Sequence, residues 1–170
     1  MDEIVKAALK KWPNVPYCYG WLALDARGDW YMRDESSQAA GPFPQVKGSR
    51  VSHEKLREFI ERNYAADEKG AWFFQNGPQR VYLQLEAAPW VWRLGTDASI
   101  TSHTGRSARY ESAWLDEHGR LFLNTDLGLG LVHSLDMETA ADAVEAGRWL
   151  PQDCLAAELP ARFGFVLAPT

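Results

Sequence analysis

Residues 24–32 read LDARGDWYM and residues 115–123 read LDEHGRLFL, and in both stretches an apolar residue precedes Asp, two variable residues and Gly. Asp first and Gly fourth are typical of a type I turn, and the aromatic and aliphatic residues on either side favour strands. Each stretch therefore predicts a β-hairpin. The two stretches lie 91 positions apart, which is the first sign of an internal repeat.

Two further blocks follow each hairpin in the same order. A helix-like segment ends at Gly70-Ala71-Trp72 in the first half and at Gly147-Arg148-Trp149 in the second. The third block pairs residues 78–85 with residues 160–167, which share Pro, Arg and Leu and alternate apolar residues as a strand does. Three blocks in one order predict two degenerate copies of a hairpin, helix and strand unit. The alternative is coincidence, because Leu-Asp, two variable residues and Gly form a common hairpin turn that can occur twice without a duplication. Because one such unit cannot bury its hydrophobic face alone, two copies would share a core about a pseudo-twofold axis.

The fold class that follows is α+β, with a mainly antiparallel sheet and two or three helices. Helices are predicted over residues 2–12, 52–70 and 136–146, each with an apolar stripe. Gly, Pro and Ser are so frequent in residues 34–50 that we expect no regular structure there beyond a short edge strand within 45–51. Near the end of the chain, residues 151–158 predict a helical turn and residues 162–167 a strand. We expect a single domain over 1–170, in which 1–95 form the first copy with the N-terminal helix, 96–107 a loop and 108–170 the second copy.

Composition excludes several classes of function. The net charge is −5 and the basic residues are scattered rather than gathered into a stripe, so we expect no nucleic-acid partner. The first residues lack a basic region followed by an apolar run, and no stretch approaches the length of a membrane span, so we expect a cytoplasmic protein without a membrane partner. We expect neither a cofactor nor a metal, because none of the four histidines has a metal-binding spacing.

Eight tryptophans are an unusual number for a chain of this length, and they either fill a core or line a groove that stacks a ligand. If the two copies pack together, the junction between them is the place where a small molecule would bind. Arginines beside aromatic residues in strands could bind an anionic ligand through charge and ring stacking. The alternative needs no ligand: side chains of a half-buried strand alternate between its two faces, which produces the same pattern of aromatic and charged residues. The candidate ligand-binding residues are Trp30, Arg80, Trp90, Trp92, Arg93 and His133. No catalytic residue is predicted, because no G-x-S-x-G motif or similar constellation is present.

Three stretches, YGWLALDARGDWYMRD (19–34), GAWFFQNGPQRVYLQLEAAPWVWRL (70–94) and YESAWLDEHGRLFLNT (110–125), resemble those of a small proteobacterial protein family of unknown function. The resemblance covers almost the whole chain and implies a bacterial cytosolic protein, with no catalytic residues to carry over. We therefore expect a non-catalytic module that binds a small molecule or a partner protein in an aromatic-rich groove. One alternative is a small enzyme whose acid and base groups, such as Asp34, His53 or His133, converge only in the fold. The other is a structural protein or homo-oligomer that pairs through a Trp-rich sheet face.

Overall fold

The computed structural model describes all residues, 1–170, and the chain divides into two compact units. Unit 1 comprises residues 1–25, 29–86 and 165–170, and unit 2 comprises residues 26–28 and 87–164. Each unit is built on one mixed β-sheet, so the predicted α+β class is confirmed. The single domain over residues 1–170 stays a prediction.

The chain has five α-helices, which corrects the expected two or three. They are α1 (Glu3–Lys11), α2 (Glu35–Ala40), α3 (Glu54–Arg62), α4 (Met137–Glu145) and α5 (Leu159–Phe163). Helix α2 lies in the segment expected to be irregular. It forms because the Asp34 carboxylate accepts hydrogen bonds from the N–H and hydroxyl of Ser37 and so caps its first turn. None of the helices is long and apolar enough to cross a membrane.

Unit 1 contains a six-stranded sheet in the order β3-β2-β1-β6-β5-β4. The strands are β1 (Cys18–Leu24), β2 (Trp30–Met32), β3 (Ser49–Arg50), β4 (Tyr64–Ala66), β5 (Trp72–Asn76) and β6 (Gln79–Leu85). Strands β1 and β6 are parallel, and every other neighbouring pair is antiparallel. The predicted β1–β2 hairpin is present. In its turn the Asp25 carboxylate accepts a hydrogen bond from the N–H of Asp29, and Gly28 adopts φ +83°. The predicted helix over 52–70 is too long, because β4 begins at Tyr64.

Unit 2 contains a seven-stranded sheet in the order β13-β10-β11-β12-β7-β8-β9. The strands are β7 (Trp90–Leu94), β8 (Ile100–Ser102), β9 (Ser107–Ala108), β10 (Tyr110–Leu115), β11 (Leu121–Thr125), β12 (Gly128–Val132) and β13 (Pro151–Asp153). Strands β8 and β9 lie in the stretch expected to be a loop. They are short and polar, so no apolar alternation marks them, and the Ser102 hydroxyl organises their turn by accepting from the N–H groups of Thr104 and Arg106.

The third block of the predicted repeat is wrong. Residues 79–85 form strand β6, but the first half of the matching block, residues 160–163, lies in α5, which Gly164 ends in the left-handed conformation at φ +68°. The strand that runs parallel to β10 is β13, where a helical turn was expected. Both sheets nevertheless contain four strands in one order and with one set of directions, β3-β2-β1-β6 in unit 1 and β12-β11-β10-β13 in unit 2.

Candidate functional site

The three tryptophans predicted to line a groove are buried. In unit 1 the Trp30 indole donates a hydrogen bond to Glu61 Oε2 at 3.0 Å. In unit 2 the rings of Trp90 and Trp92 stack with centroids 6.0 Å apart, and both indole N–H groups donate to backbone carbonyls, those of Leu127 and Leu123. Their apolar faces are taken up by the interior, so we leave these three residues out of the candidate site.

Arg93 and His133 belong to unit 2, and both take part in local structure. The Arg93 guanidinium binds the Asp136 carboxylate, with Nε 2.7 Å from Oδ2, and this hydrogen bond lowers the pKa of Asp136. His133 is buried, and its Nδ1 accepts from the N–H of Leu135 at the start of the turn before α4. Of the six predicted ligand-binding residues, Arg80 is the one that lines a described cavity.

That cavity lies in unit 1 and measures about 390 Å³. We call it the aromatic–arginine pocket, and its walls include Tyr17, Tyr19, Asp67, Glu68, Lys69, Arg80, Tyr82 and Val166. The sheet assembles it, because the parallel register of β1 with β6 sets Cys18 opposite Val81 and so brings Tyr19 beside Tyr82. Their rings stack with centroids 4.9 Å apart and planes within 1° of parallel. Tyr17 packs edge-on against Tyr82 at 5.6 Å and is 55% exposed, whereas Tyr19 is 39% exposed.

Arg80 lies among these rings on the same face of β6 as Tyr82, which follows it two residues later in the strand. Its guanidinium carbon is 4.0 Å from the centroid of Phe73, 5.1 Å from that of Tyr17 and 5.9 Å from that of Tyr82. Its hydrogen bond within the chain runs from Nη1 to the Tyr82 hydroxyl at 3.2 Å, and it forms no salt bridge. The rings therefore fix the orientation of a cation that has most of its N–H donors available.

Asp67 completes the polar side of the pocket. Its Oδ2 accepts a hydrogen bond from the Tyr82 hydroxyl at 2.7 Å, and its Oδ1 accepts from the N–H groups of Lys69 and Ala71. Burial alone would raise the pKa of Asp67, but these hydrogen bonds and the charge of Arg80 hold that pKa below its ordinary value. Burial and the hydrogen bond to Asp67 raise the pKa of Tyr82. At neutral pH Asp67 is thus an ionised acceptor already committed to the chain, and it orients Tyr82.

The pocket has the groups to bind a ligand but lacks an evident catalytic set. No His or Cys side chain lines it, and its most buried carboxylate, that of Asp67, is engaged by three donors. No group of three or more His, Cys, Asp or Glu side chains in the chain could hold a metal ion. None of the acid and base candidates Asp34, His53 and His133 lines it: Asp34 and His53 cap helices, and His133 accepts from the N–H of Leu135.

Sequence reasoning missed Tyr17, Tyr19 and Asp67. A signal for each exists. Tyr17 and Tyr19 alternate at the start of β1, and Asp67-Glu68-Lys69-Gly70 has the same Asp-first, Gly-fourth pattern as the hairpin turns at Asp25 and Asp116. The β4–β5 connection is indeed such a turn, with the N–H of Asp67 bonded to the carbonyl of Ala71. What the sequence could not supply is the pairing of β1 with β6, which joins residues about 60 positions apart.

Comparison with known proteins finds one protein family whose model matches the full length of the chain. The model of family DUF2944, described as "Protein of unknown function (DUF2946)", matches residues 1–170. The chain belongs to this family. No curated protein matches it. The predicted resemblance to a family of unknown function is thereby confirmed.

Two solved structures are similar to this member of the family. A DUF1285 family protein from Silicibacter pomeroyi DSS-3 superposes with a TM-score of 0.53 at 14% identity, covering 84% of each chain. A DUF1285 family protein from Shewanella baltica OS155 gives a TM-score of 0.48 at 14% identity, covering 72% of this chain and 91% of the other. At this identity the first likeness shows a shared fold and nothing of function.

Proposed function

We propose that this protein is a non-catalytic binding protein whose aromatic–arginine pocket takes a small molecule with a carboxylate or phosphate on a planar apolar body. The observation that carries the proposal is Arg80, a cation that is set among three aromatic rings and forms no salt bridge. A guanidinium presents a rigid fork of N–H donors that matches a carboxylate or phosphate with two parallel hydrogen bonds. Because Phe73 and Tyr82 already hold its plane, little side-chain freedom is lost when an anion binds.

The tyrosines supply the second half of the recognition. Tyr17 and Tyr19 present exposed ring surface beside the guanidinium, and aromatic faces of this kind stack on planar ligands. The volume of the pocket is about 390 Å³, near the lower end of the range for small-molecule sites. Lys69 and Glu68 place one charge of each sign on the rim, and the Asp67 carboxylate is already engaged by three donors of the chain, so Arg80 is the central cation with donors left for a ligand.

Titration calorimetry at neutral pH tests this proposal with benzoate, 4-hydroxybenzoate, indole-3-acetate and phenyl phosphate as probes. Each probe is paired with a neutral analogue of the same shape, such as benzamide for benzoate. We expect at least one anion to bind and its neutral analogue to bind at least about tenfold more weakly. The Arg80→Gln variant should lose affinity for that anion by a similar factor, which corresponds to about 1.4 kcal/mol of binding free energy.

Arg162→Gln is the matched control. Arg162 lies 4.6 Å from the ring of Trp114 in unit 2 and forms no salt bridge, so the variant removes the same charge from the same kind of aromatic contact outside the pocket. Its affinity for the anions should equal that of the unaltered protein. Equal affinity of Arg80→Gln, or no binding of any anion at millimolar concentration, contradicts the proposal.

We also propose that the two units derive from one duplicated unit. Support comes from the four strands of shared order and direction, and from the helices α3 and α4 that precede the fourth strand of each set. The Asp-first turn is weaker support, because it recurs at Asp67 within unit 1 and is therefore a general solution for these hairpins. An alignment of family members tests the idea: residues 18–85 should match residues 110–153 above chance, and a match no better than shuffled sequences contradicts it.

A further inference from the structure

We propose a second ligand site, in unit 2, where a cavity between the β7–β8 turn and helix α4 binds a zwitterionic α-amino acid. This site is independent of the aromatic–arginine pocket. The cavity measures about 230 Å³. It is lined by Gly95, Thr96, Ala98, Thr139, Asp142, Ala143, Ala146, Arg148 and Trp149.

Trp149 gives the strongest indication of a ligand. Four other buried tryptophans donate their indole N–H to the chain, namely Trp30 to Glu61, Trp90 to Leu127, Trp92 to Leu123 and Trp114 to Ser112. Trp149 is only 3% exposed and stacks on Tyr110 at 5.7 Å, but its N–H donates to no group of the chain. Because Trp149 lines the cavity, the surface it still exposes faces that space. This N–H is therefore open to the cavity rather than sealed in the interior, and a ligand seated there would be its acceptor.

Two opposite charges line the same cavity without neutralising each other. Asp142 on α4 and Arg148 just beyond its end both contribute to the wall, and neither forms a salt bridge. The charge of Arg148 acts on Asp97, an exposed residue of the β7–β8 turn. Hydrogen bonds from Ser99 are the main cause that lowers the pKa of Asp97, and the positive charge of Arg148 adds a smaller lowering. Both residues are exposed, and a carboxylate and a guanidinium without salt bridges beside one cavity suit a ligand that carries both an ammonium and a carboxylate.

Small residues keep the cavity open. Ala143 of helix α4 and Ala146 just after its end line the cavity, and the β7–β8 turn contributes Gly95 and Ala98. Ala98 has φ +64°, a left-handed conformation that costs a residue with a Cβ atom about 1 to 2 kcal/mol. Threonine hydroxyls at Thr96 and Thr139 add neutral donors and acceptors to the wall. In the proposed complex the carboxylate accepts from Arg148 and from the Trp149 N–H, and the ammonium donates to Asp142.

Nitrogen-15 NMR of the indole groups tests the site directly. The eight tryptophans give separate indole N–H signals, and the one that disappears in Trp149→Phe identifies Trp149. The protein is titrated with individual amino acids, from glycine to the large apolar ones, each beside its amide and its N-acetyl derivative. We expect at least one amino acid to shift the Trp149 signal in a saturable way, and its amide and N-acetyl forms to bind at least about tenfold more weakly.

Variants of the two charged residues separate the site from a general effect. Asp142→Asn and Arg148→Gln should each weaken binding about tenfold, because each removes one charge-assisted hydrogen bond. The controls are Glu145→Gln, an exposed carboxylate on the same helix outside the cavity, and Arg109→Gln, an exposed arginine of unit 2. Both should bind as the unaltered protein does. A Trp149 signal that no amino acid moves, equal binding of the amide and N-acetyl forms, or unchanged affinity in Asp142→Asn and Arg148→Gln overturns the proposal.

Discussion

Arg33 in unit 1 is a buried cation, 2% exposed, that is held by neutral acceptors alone. Its guanidinium donates to the backbone carbonyls of Ser37, Gly41 and Val46 and to the side-chain oxygen of Gln84. Three of these acceptors belong to the segment after β2 that the sequence predicts as irregular. Arg33 therefore ties that segment, which contains α2, to the sheet.

Arg33→Lys should lower the free energy of unfolding by about 2 to 3 kcal/mol, because one ammonium cannot reach acceptors spread over four residues and leaves buried carbonyls unpaired. Urea denaturation measures the difference. Arg50→Gln is the control, since Arg50 is exposed and its 3.4 Å contact with Asp29 is a surface salt bridge, which should change stability by about 0.5 kcal/mol or less. Equal stability of the two variants would show that Arg33 does not hold the segment.

At the scale of elements, strand β12 depends on a glycine. Gly130 lies opposite Trp90 in the parallel pair of β12 with β7, and a Cβ atom placed there would collide with the indole of Trp92. The Trp92 N–H donates to the carbonyl of Leu123 on β11, so the ring has little room to move. A glycine inside a strand often marks a place where a neighbouring group occupies the missing side-chain volume, and here that group is the Trp92 ring.

Gly130→Ala should therefore destabilise the protein by about 1 to 3 kcal/mol through overpacking. The double variant Gly130→Ala with Trp92→Phe supplies the control, because the smaller ring makes room for the new methyl group. Its loss of stability should be smaller than the sum of the two single losses, as chemical denaturation of all four proteins would measure. Strictly additive losses would mean that Gly130 and Trp92 do not share the space.

Local chemistry explains which elements the sequence predicts well. The hairpins at Asp25 and Asp116 depend on one carboxylate and one glycine within five residues, so a short stretch specifies them. The strand predicted over 162–167 is wrong because Arg162 and Phe163 belong to helix α5, and so short a segment does not distinguish a period of two from one of 3.6. The aromatic–arginine pocket was found only through Arg80, since its other walls come together through strand pairing that no local pattern encodes.

For the molecule as a whole, several carboxyl groups link stability to acid pH. Burial alone would raise the pKa of Asp116, but hydrogen bonds from the backbone and guanidinium of Arg120 hold it below its ordinary value. The pKa values of Asp67 and Asp136 are also lowered. A carboxyl group with a lowered folded-state pKa contributes stability above its unfolded pKa of about 3.9, and that contribution is lost as the pH falls through the folded value.

The free energy of unfolding should therefore be nearly constant from neutral pH to about pH 5 and fall steeply below about pH 4. Asp116→Asn should be less stable at neutral pH by about 1 to 3 kcal/mol, because a buried charge-assisted hydrogen bond to Arg120 is lost. Urea midpoints measured along the pH series should converge for the two proteins toward acid pH. A constant gap between them down to pH 3 would mean that Asp116 does not titrate in this range.

The central claim is that Arg80 and the rings around it form an anion-binding pocket. Its most direct measurement is a crystal structure of the protein soaked with 4-bromobenzoate, in which anomalous scattering locates the bromine atom. The account predicts a bromine peak inside the aromatic–arginine pocket with the carboxylate on the Arg80 guanidinium, and no such peak in Arg80→Gln crystals. An empty pocket in soaked crystals that diffract well, or the same peak in both proteins, would contradict it.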